Sequence, residues 1–312
     1  MTIYGSDVSH YDLPNTIAMI REGIVFQTHK AGGDSNAGDT ELDDWWAYVK
    51  GTDPDEVLLG TYWVPRPDLY GNPTSEADRW LGVLNRSCPG WTGREHILQI
   101  DAEKWPAGAK TKPNRAYIQT LANRLMAKMP KLRPLCYASK GQYGDELRGL
   151  TIPLWNARYP LPNTTGDFKS LYARMGGDKG GGWQTYSGQM PVIWQYSSTA
   201  TIGGQTTSDA NAFRGTLAQL KALVAPGWAA PTEGEDVELT DKVGSKAWPS
   251  RDLQDFILDL HGLRDVLKGD QTGTKAAGYA PDSPLLELLG IPARVASIEA
   301  KLDKIIDALP TS

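Results

Sequence analysis

The sequence predicts an α/β barrel followed by a helical C-terminal module. Three observations carry this. Short apolar runs rich in β-branched residues alternate with helix-like stretches over residues 2–224, the pattern of strand–helix units and not of a sandwich. Several of those runs end in acidic, polar or aromatic residues, and in such barrels functional groups gather at the C-terminal ends of the strands. Beyond a stretch of linker composition at residues 225–236, apolar residues recur three and four apart, which is the spacing of helices.

Residues 2–8 read as a first strand, ending at Asp7 and Val8 and followed by Ser9, His10 and Tyr11. A helix over 16–22, closed by Gly23, leads to a second strand at 24–30. A loop rich in Gly, Asp and Asn at 32–39 and a helix at 42–50 come next, then a third strand at 57–64 and a helix at 75–84. The fourth strand, Ile97-Leu98-Gln99-Ile100, carries Asp101 and Glu103 at its end. Residues 114–129 have helical spacing, with Ile118, Leu121, Leu125 and Met129 on one stripe. Short strands at 133–138, 152–157 and 192–196 follow, and a helix at 213–224 closes the barrel domain, 1–224.

The tail, 237–312, differs in kind. Ser250 caps a predicted helix over 251–268, with Leu253, Phe256, Leu260, Leu263 and Leu267 along its stripe. A final helix over 292–309 repeats Val295, Ile298, Leu302, Ile305 and Leu309 at coiled-coil spacing. That seam predicts a homo-oligomer through residues 292–309, or else docking of the stripe on the preceding helix or the barrel. The module is expected to serve oligomerisation or attachment to a cell wall.

Composition narrows the function classes. A formal charge of −5 supplies no basic stripe to neutralise phosphates, so nucleic acid is not the expected partner. No apolar run approaches the roughly 20 residues that span a bilayer, so no membrane insertion is expected. The first residues carry no basic and apolar leader, which predicts synthesis in the cytoplasm without a signal peptide. Cys88 and Cys136 are expected to be free thiols. With 4 His and 2 Cys, none at ligand spacing, neither a metal nor another cofactor is expected. The skew to 11 Trp against 4 Phe suits sugar rings, although Trp is also a large core residue.

Chemistry is expected at Asp101-Ala102-Glu103. On a strand, residues i and i+2 share a face, which sets the two backbones roughly 7 Å apart. Each acid disfavours ionisation of the other, and the resulting split would let one hold a proton at neutral pH while the other is an anion. Taken alone, the same three residues also read as solvated loop acids just past a strand.

The wider pattern separates these readings. Asp7-Val8-Ser9-His10-Tyr11, Leu59-Gly60-Thr61-Tyr62-Trp63, Ile100-Asp101-Ala102-Glu103, Pro153-Leu154-Trp155-Asn156-Ala157-Arg158-Tyr159 and Ile193-Trp194-Gln195-Tyr196-Ser197-Ser198, followed by Asp209-Ala210-Asn211-Ala212-Phe213, occur in one order with compatible spacing. Together they resemble the family 25 glycoside hydrolases, the muramidases of phage endolysins and of some bacteria and fungi. The resemblance covers roughly residues 2–224. It implies a flattened, irregular (β/α) barrel that cleaves the β-1,4 bond between N-acetylmuramic acid and N-acetylglucosamine in peptidoglycan strands.

By position, the resemblance makes Glu103 the general acid/base and gives Asp101 the substrate's acetamido group or the developing charge. Asp7 and Asp209 complete an acidic floor. Tyr62, Tyr137, Trp155, Tyr159, Trp194 and Tyr196 would line the sugar groove. One departure stands out: where the family usually carries Lys-Ala-Thr-Glu-Gly, this chain reads Lys30-Ala31-Gly32-Gly33-Asp34. The family's glutamate has no counterpart in register, and Asp34 is the acid placed to reach the same space.

The second acid's role stays open. Separations of about 5–5.5 Å suit a nucleophile, about 6.5–9.5 Å a water-activating base, and an N-acetylated substrate can instead supply its own acetamido oxygen. Three functions are therefore carried forward: an endolysin released to the wall by a holin, a non-catalytic glycan-binding barrel of a phage particle, and a hydrolase of chitin-like polymers.

Overall fold

The computed structural model describes residues 1–11, 15–33, 38–106 and 109–228. The predicted tail helices, the oligomerisation seam and Asp34 lie outside the described residues. The first half of the domain holds β1 (Ile3–Val8), α1 (Thr16–Arg21), β2 (Ile24–Gly32), α2 (Leu42–Val49), β3 (Leu58–Trp63), α3 (Pro67–Tyr70), α4 (Pro73–Ser87) and β4 (Ile97–Asp101). The second half continues with α5 (Arg115–Lys128), β5 (Leu135–Ala138), α6 (Lys140–Tyr143), β6 (Leu154–Ala157), β7 (Gly166–Asp167), α7 (Phe168–Arg174), β8 (Ile193–Ile202), β9 (Gln205–Phe213) and α8 (Leu217–Val224).

Eight strands close on one another. β1 to β6 run parallel in sequence order, β6 pairs in parallel with β8, and β9 joins β8 to β1 antiparallel to both. The two-residue β7 adds an edge to β8. This is an α/β barrel made irregular by one reversed strand. Gly203 and Gly204, both at positive φ, make the two-residue turn of the β8–β9 hairpin, a backbone that side chains resist.

β9 corrects the sequence reading, which placed no strand between 196 and a helix at 213. Its sequence, Gln-Thr-Thr-Ser-Asp-Ala-Asn-Ala-Phe, has loop composition because its first half is partly open to solvent. The last helix instead starts at Leu217, where Thr216 and Gln219 form a reciprocal capping box.

Alternation along the strands sorts the side chains. Inside the barrel Phe26 fills the space that Gly5 leaves; a Cβ at Gly5 would lie 2.2 Å from its ring. Trp155 meets Phe26 edge-on at 6.0 Å. Outside, Trp45, Trp46, Trp63, Trp80 and Trp91 pack beneath the helices, with Trp63 and Trp80 stacked at 6.2 Å. The tryptophan excess therefore largely serves the core. Buried Glu76 of α4 accepts from Trp63 Nε1 (2.9 Å), the Arg66 N–H (2.9 Å) and the Tyr117 hydroxyl (2.6 Å), fixing the loop after β3 against α4 and α5. Both cysteines are buried free thiols. Among the described residues, no helix is long and apolar enough to cross a membrane.

Candidate active site

The C-terminal ends of β1, β3, β4 and β5 bring acids and hydroxyls together at one end of the barrel. Asp7, near the end of β1, is buried, and its two oxygens accept from Gln195 Nε2 of β8 at 3.0 and 2.9 Å. Asn211 Nδ2 of β9 donates to Asp7 Oδ2 at 2.6 Å. Asp209 also hydrogen-bonds to Asp7, so one carboxyl of that couple carries a proton. Burial pushes the Asp7 carboxyl up, and the Asn211 and Gln195 amides oppose the rise by favouring its anion.

Gln195 is a hub. While its amide nitrogen holds Asp7, its Oε1 accepts the hydroxyls of Tyr137 (2.7 Å) and Tyr159. Tyr62 hydrogen-bonds to Ser9 and feels the charges of Asp7, Asp101 and Asp209, which places it among the same acids. Burial keeps its phenol protonated.

Asp101 ends β4 and is buried; Glu103, two residues on, is partly open and lines a cleft of about 640 Å³ with Tyr137 and Tyr159. Burial, then Glu103, then Asp7 push the Asp101 carboxyl well above the usual range. Burial and the Asp7 charge raise Glu103 to about 7. The buried Lys30 ammonium opposes both rises. Both carboxyls of the pair are thus raised, Asp101 by burial and by Glu103 beside it, Glu103 by burial and Asp7. Asp101 lies deeper in the barrel mouth than Glu103. Asp101 Oδ1 is buried and accepts no hydrogen bond among the described residues. No group of three or more His, Cys, Asp and Glu side chains among them is placed to hold a metal ion.

Comparison of the sequence with known protein families and with characterised proteins finds no match. Solved structures do match. A bacterial lysozyme from Streptomyces coelicolor superposes with a TM-score of 0.53 at 20% identity, over 72% of this chain and 98% of that one. A family GH25 lysozyme from Aspergillus fumigatus gives 0.53 at 21% identity, over 72% and 100%. The catalytic domain of an endolysin from a Listeria monocytogenes bacteriophage gives 0.51 at 18%, over 71% and 98%. The fold is that of the family 25 lysozymes.

Within this fold three of the aromatics expected in the groove stand elsewhere. Trp194 and Tyr196 flank Gln195 on β8, and because Gln195 points inward, its neighbours point outward. Trp194 Nε1 donates to the Arg158 carbonyl (2.7 Å) and its ring lies against Gly182; the Tyr196 hydroxyl donates to the Phe168 carbonyl (2.9 Å). Trp155 is fully buried below Tyr137 and donates to Asn211 Oδ1 at 2.9 Å, so it steadies Asp7 through Asn211 and does not meet solvent. Glu103, Asp101, Asp7, Asp209, Tyr62, Tyr137 and Tyr159 do come together.

Sequence reasoning passed over Gln195, Asn211 and Lys30. Gln195 alternates with Trp194 and Tyr196 along β8, and only its contact with Asp7 shows that the amide is the side chain facing inward. Sequence reasoning also passed over Tyr11, 67% exposed with the Lys30 ammonium 5.7 Å from its ring centre, and Trp105, 39% exposed just beyond Glu103. Where the family pattern has its glutamate, this backbone leaves no room for a side chain. Gly33 sits at positive φ, and a Cβ there would lie 2.0 Å from the Val64 carbonyl oxygen, so no side chain fits.

Proposed function

We propose that the chain is a muramidase, a peptidoglycan hydrolase cleaving the β-1,4 bond between N-acetylmuramic acid and N-acetylglucosamine. The observation that carries the reading is Glu103: a carboxyl raised to about 7, open to the cleft and flanked by Tyr137 and Tyr159. Such a group holds a proton near neutrality and can pass it to the leaving glycosidic oxygen. Asp101 Oδ1, buried and without a donor among the described residues, suits the N–H of a substrate acetamido group. That contact aims the acetamido oxygen at the anomeric carbon, and water then opens the intermediate. Asp7 and Asp209, with Gln195 and Asn211, form the acidic floor beneath the reacting sugar. Tyr62, Tyr137 and Tyr159 line the groove, and Tyr11 and Trp105 are exposed rings close in sequence to Asp7 and Glu103.

The similarity to an endolysin catalytic domain supports a phage or prophage endolysin, and in this reading a holin would release it to the wall. In this reading residues 1–224 are the catalytic barrel, 225–236 a linker and 237–312 a module for self-association or wall attachment. Light scattering of the full chain tests self-association through 292–309; a monomer discards it.

Purified cell walls should lose turbidity with the appearance of new reducing ends, and mass spectrometry of the released fragments should show muramic acid at those ends. Glu103→Gln should abolish turnover and keep glycan binding. Release of the inverted anomer first, followed by product NMR, would exclude the acetamido route. Walls left intact by a folded protein would point to a glycan-binding barrel, and cleavage of chitin alone to the other hydrolase.

A further inference from the structure

The cleft that Glu103 lines also has a basic wall. Beside Glu103 and Tyr159 it is lined by Lys140, the first residue of α6, and Arg158, the residue after β6. Arg158 is exposed but held. Its Nη1 donates to the Gly181 carbonyl (2.8 Å) and to Gln184 Oε1 (3.1 Å). Its own N–H donates to the Gln195 carbonyl at 3.0 Å, and its carbonyl accepts from Trp194. Gly181 lies flush beneath the guanidinium; a Cβ there would stand 2.9–3.1 Å from Cζ and the two Nη atoms.

Both acceptors on the guanidinium are neutral, so they orient it without cancelling its charge. Among the described residues neither Arg158 nor Lys140 pairs with a carboxylate. A pre-oriented guanidinium with spare N–H groups facing a cleft is suited to bind a carboxylate.

We propose that Arg158, assisted by Lys140, binds a carboxylate carried by the glycan's substituents, on the lactyl ether or its attached peptide, while the scissile bond lies at Glu103. The proposal rests on the muramidase reading and makes this wall the feature that selects peptidoglycan over a neutral N-acetylglucosamine polymer.

The test uses the full chain carrying Glu103→Gln, to stop turnover, and two soluble, phosphate-free muramyl glycopeptides: one with free carboxylates, one with the same carboxylates amidated. Titration followed by tryptophan fluorescence should show the free acid binding about tenfold more tightly, an advantage that shrinks with added salt. Adding Arg158→Gln should cut the advantage to about twofold, and Arg158→Lys should restore part of it. Lys140→Gln, a surface change that breaks no bond described above, should reduce the advantage by a smaller factor. Equal weakening of both ligands by Arg158→Gln, or an advantage left intact, overturns the proposal. If the parent cleaves walls yet its Glu103→Gln form binds both ligands equally, the carboxylate wall alone fails. If it neither cleaves nor binds, the muramidase reading fails with it.

Discussion

Glu103→Gln should cost activity and return stability, in a pH-dependent way. Burial raises the folded-state Glu103 carboxyl from 4.5 to about 7. Between those values the folded chain holds a proton that the unfolded chain has released, so stability falls as pH rises through the window. Above it, both states are ionised and the folded state bears the full cost. At about 1.4 kcal/mol per pH unit the rise sets an upper bound of about 3 kcal/mol. Glu103 is partly open to solvent, which brings the expectation to about 2 kcal/mol. Glutamine keeps the shape and never ionises. Guanidinium denaturation of parent and variant, followed by tryptophan fluorescence, should therefore give similar stabilities at pH 5. At pH 8 the variant should be about 2 kcal/mol more stable, which corresponds to roughly 4–8 °C in Tm for a domain of this size. A variant no more stable than the parent at pH 8, or equally stabilised at pH 5, would refute the assignment of a buried, proton-holding Glu103.

Two further outcomes test the scaffold. Gln195→Leu leaves the buried Tyr137 hydroxyl without its acceptor and removes both Gln195 contacts to Asp7; at about 1–3 kcal/mol for each stranded group, a loss of about 3–5 kcal/mol is expected. The denaturation midpoint at pH 7 measures it, and an unchanged midpoint would remove Gln195 as the hub. Gly182→Ala puts a methyl group 2.1–2.2 Å from the Trp194 ring and should cost about 1–3 kcal/mol, whereas Gly93→Ala, with open space around it, should stay within about 0.5 kcal/mol. Equal Tm values for the two alanine variants would contradict the packing of Trp194 outside the barrel.

Local pattern made the barrel legible, because most of the parallel strands are short, largely apolar runs buried on both faces. The strands through Phe26, Leu59, Ile100 and Trp155 could be read one at a time for that reason. β9 could not. Its polar residues earn strand geometry only by pairing with β8 on one side and β1 on the other, partners that lie nearby and some 200 residues away in the sequence. Asp101 and Glu103 were found because two acids at a buried strand's end are costly without a purpose.

The sequence by itself determined the order of strands and helices, the strand that carries the acid pair, and the family pattern around it. All of these depend on residues close together along the chain. Only the tertiary structure decided which faces look inward. Closure of the barrel turned Gln195 toward Asp7 and sent Trp194 and Tyr196 outward under α7 and its neighbouring turns. It also set Lys30 close enough to oppose the raised acids and left the charge of Arg158 facing the cleft. Burial and Coulomb interactions depend on distance in space, and those distances exist only once β9 has joined β8 to β1.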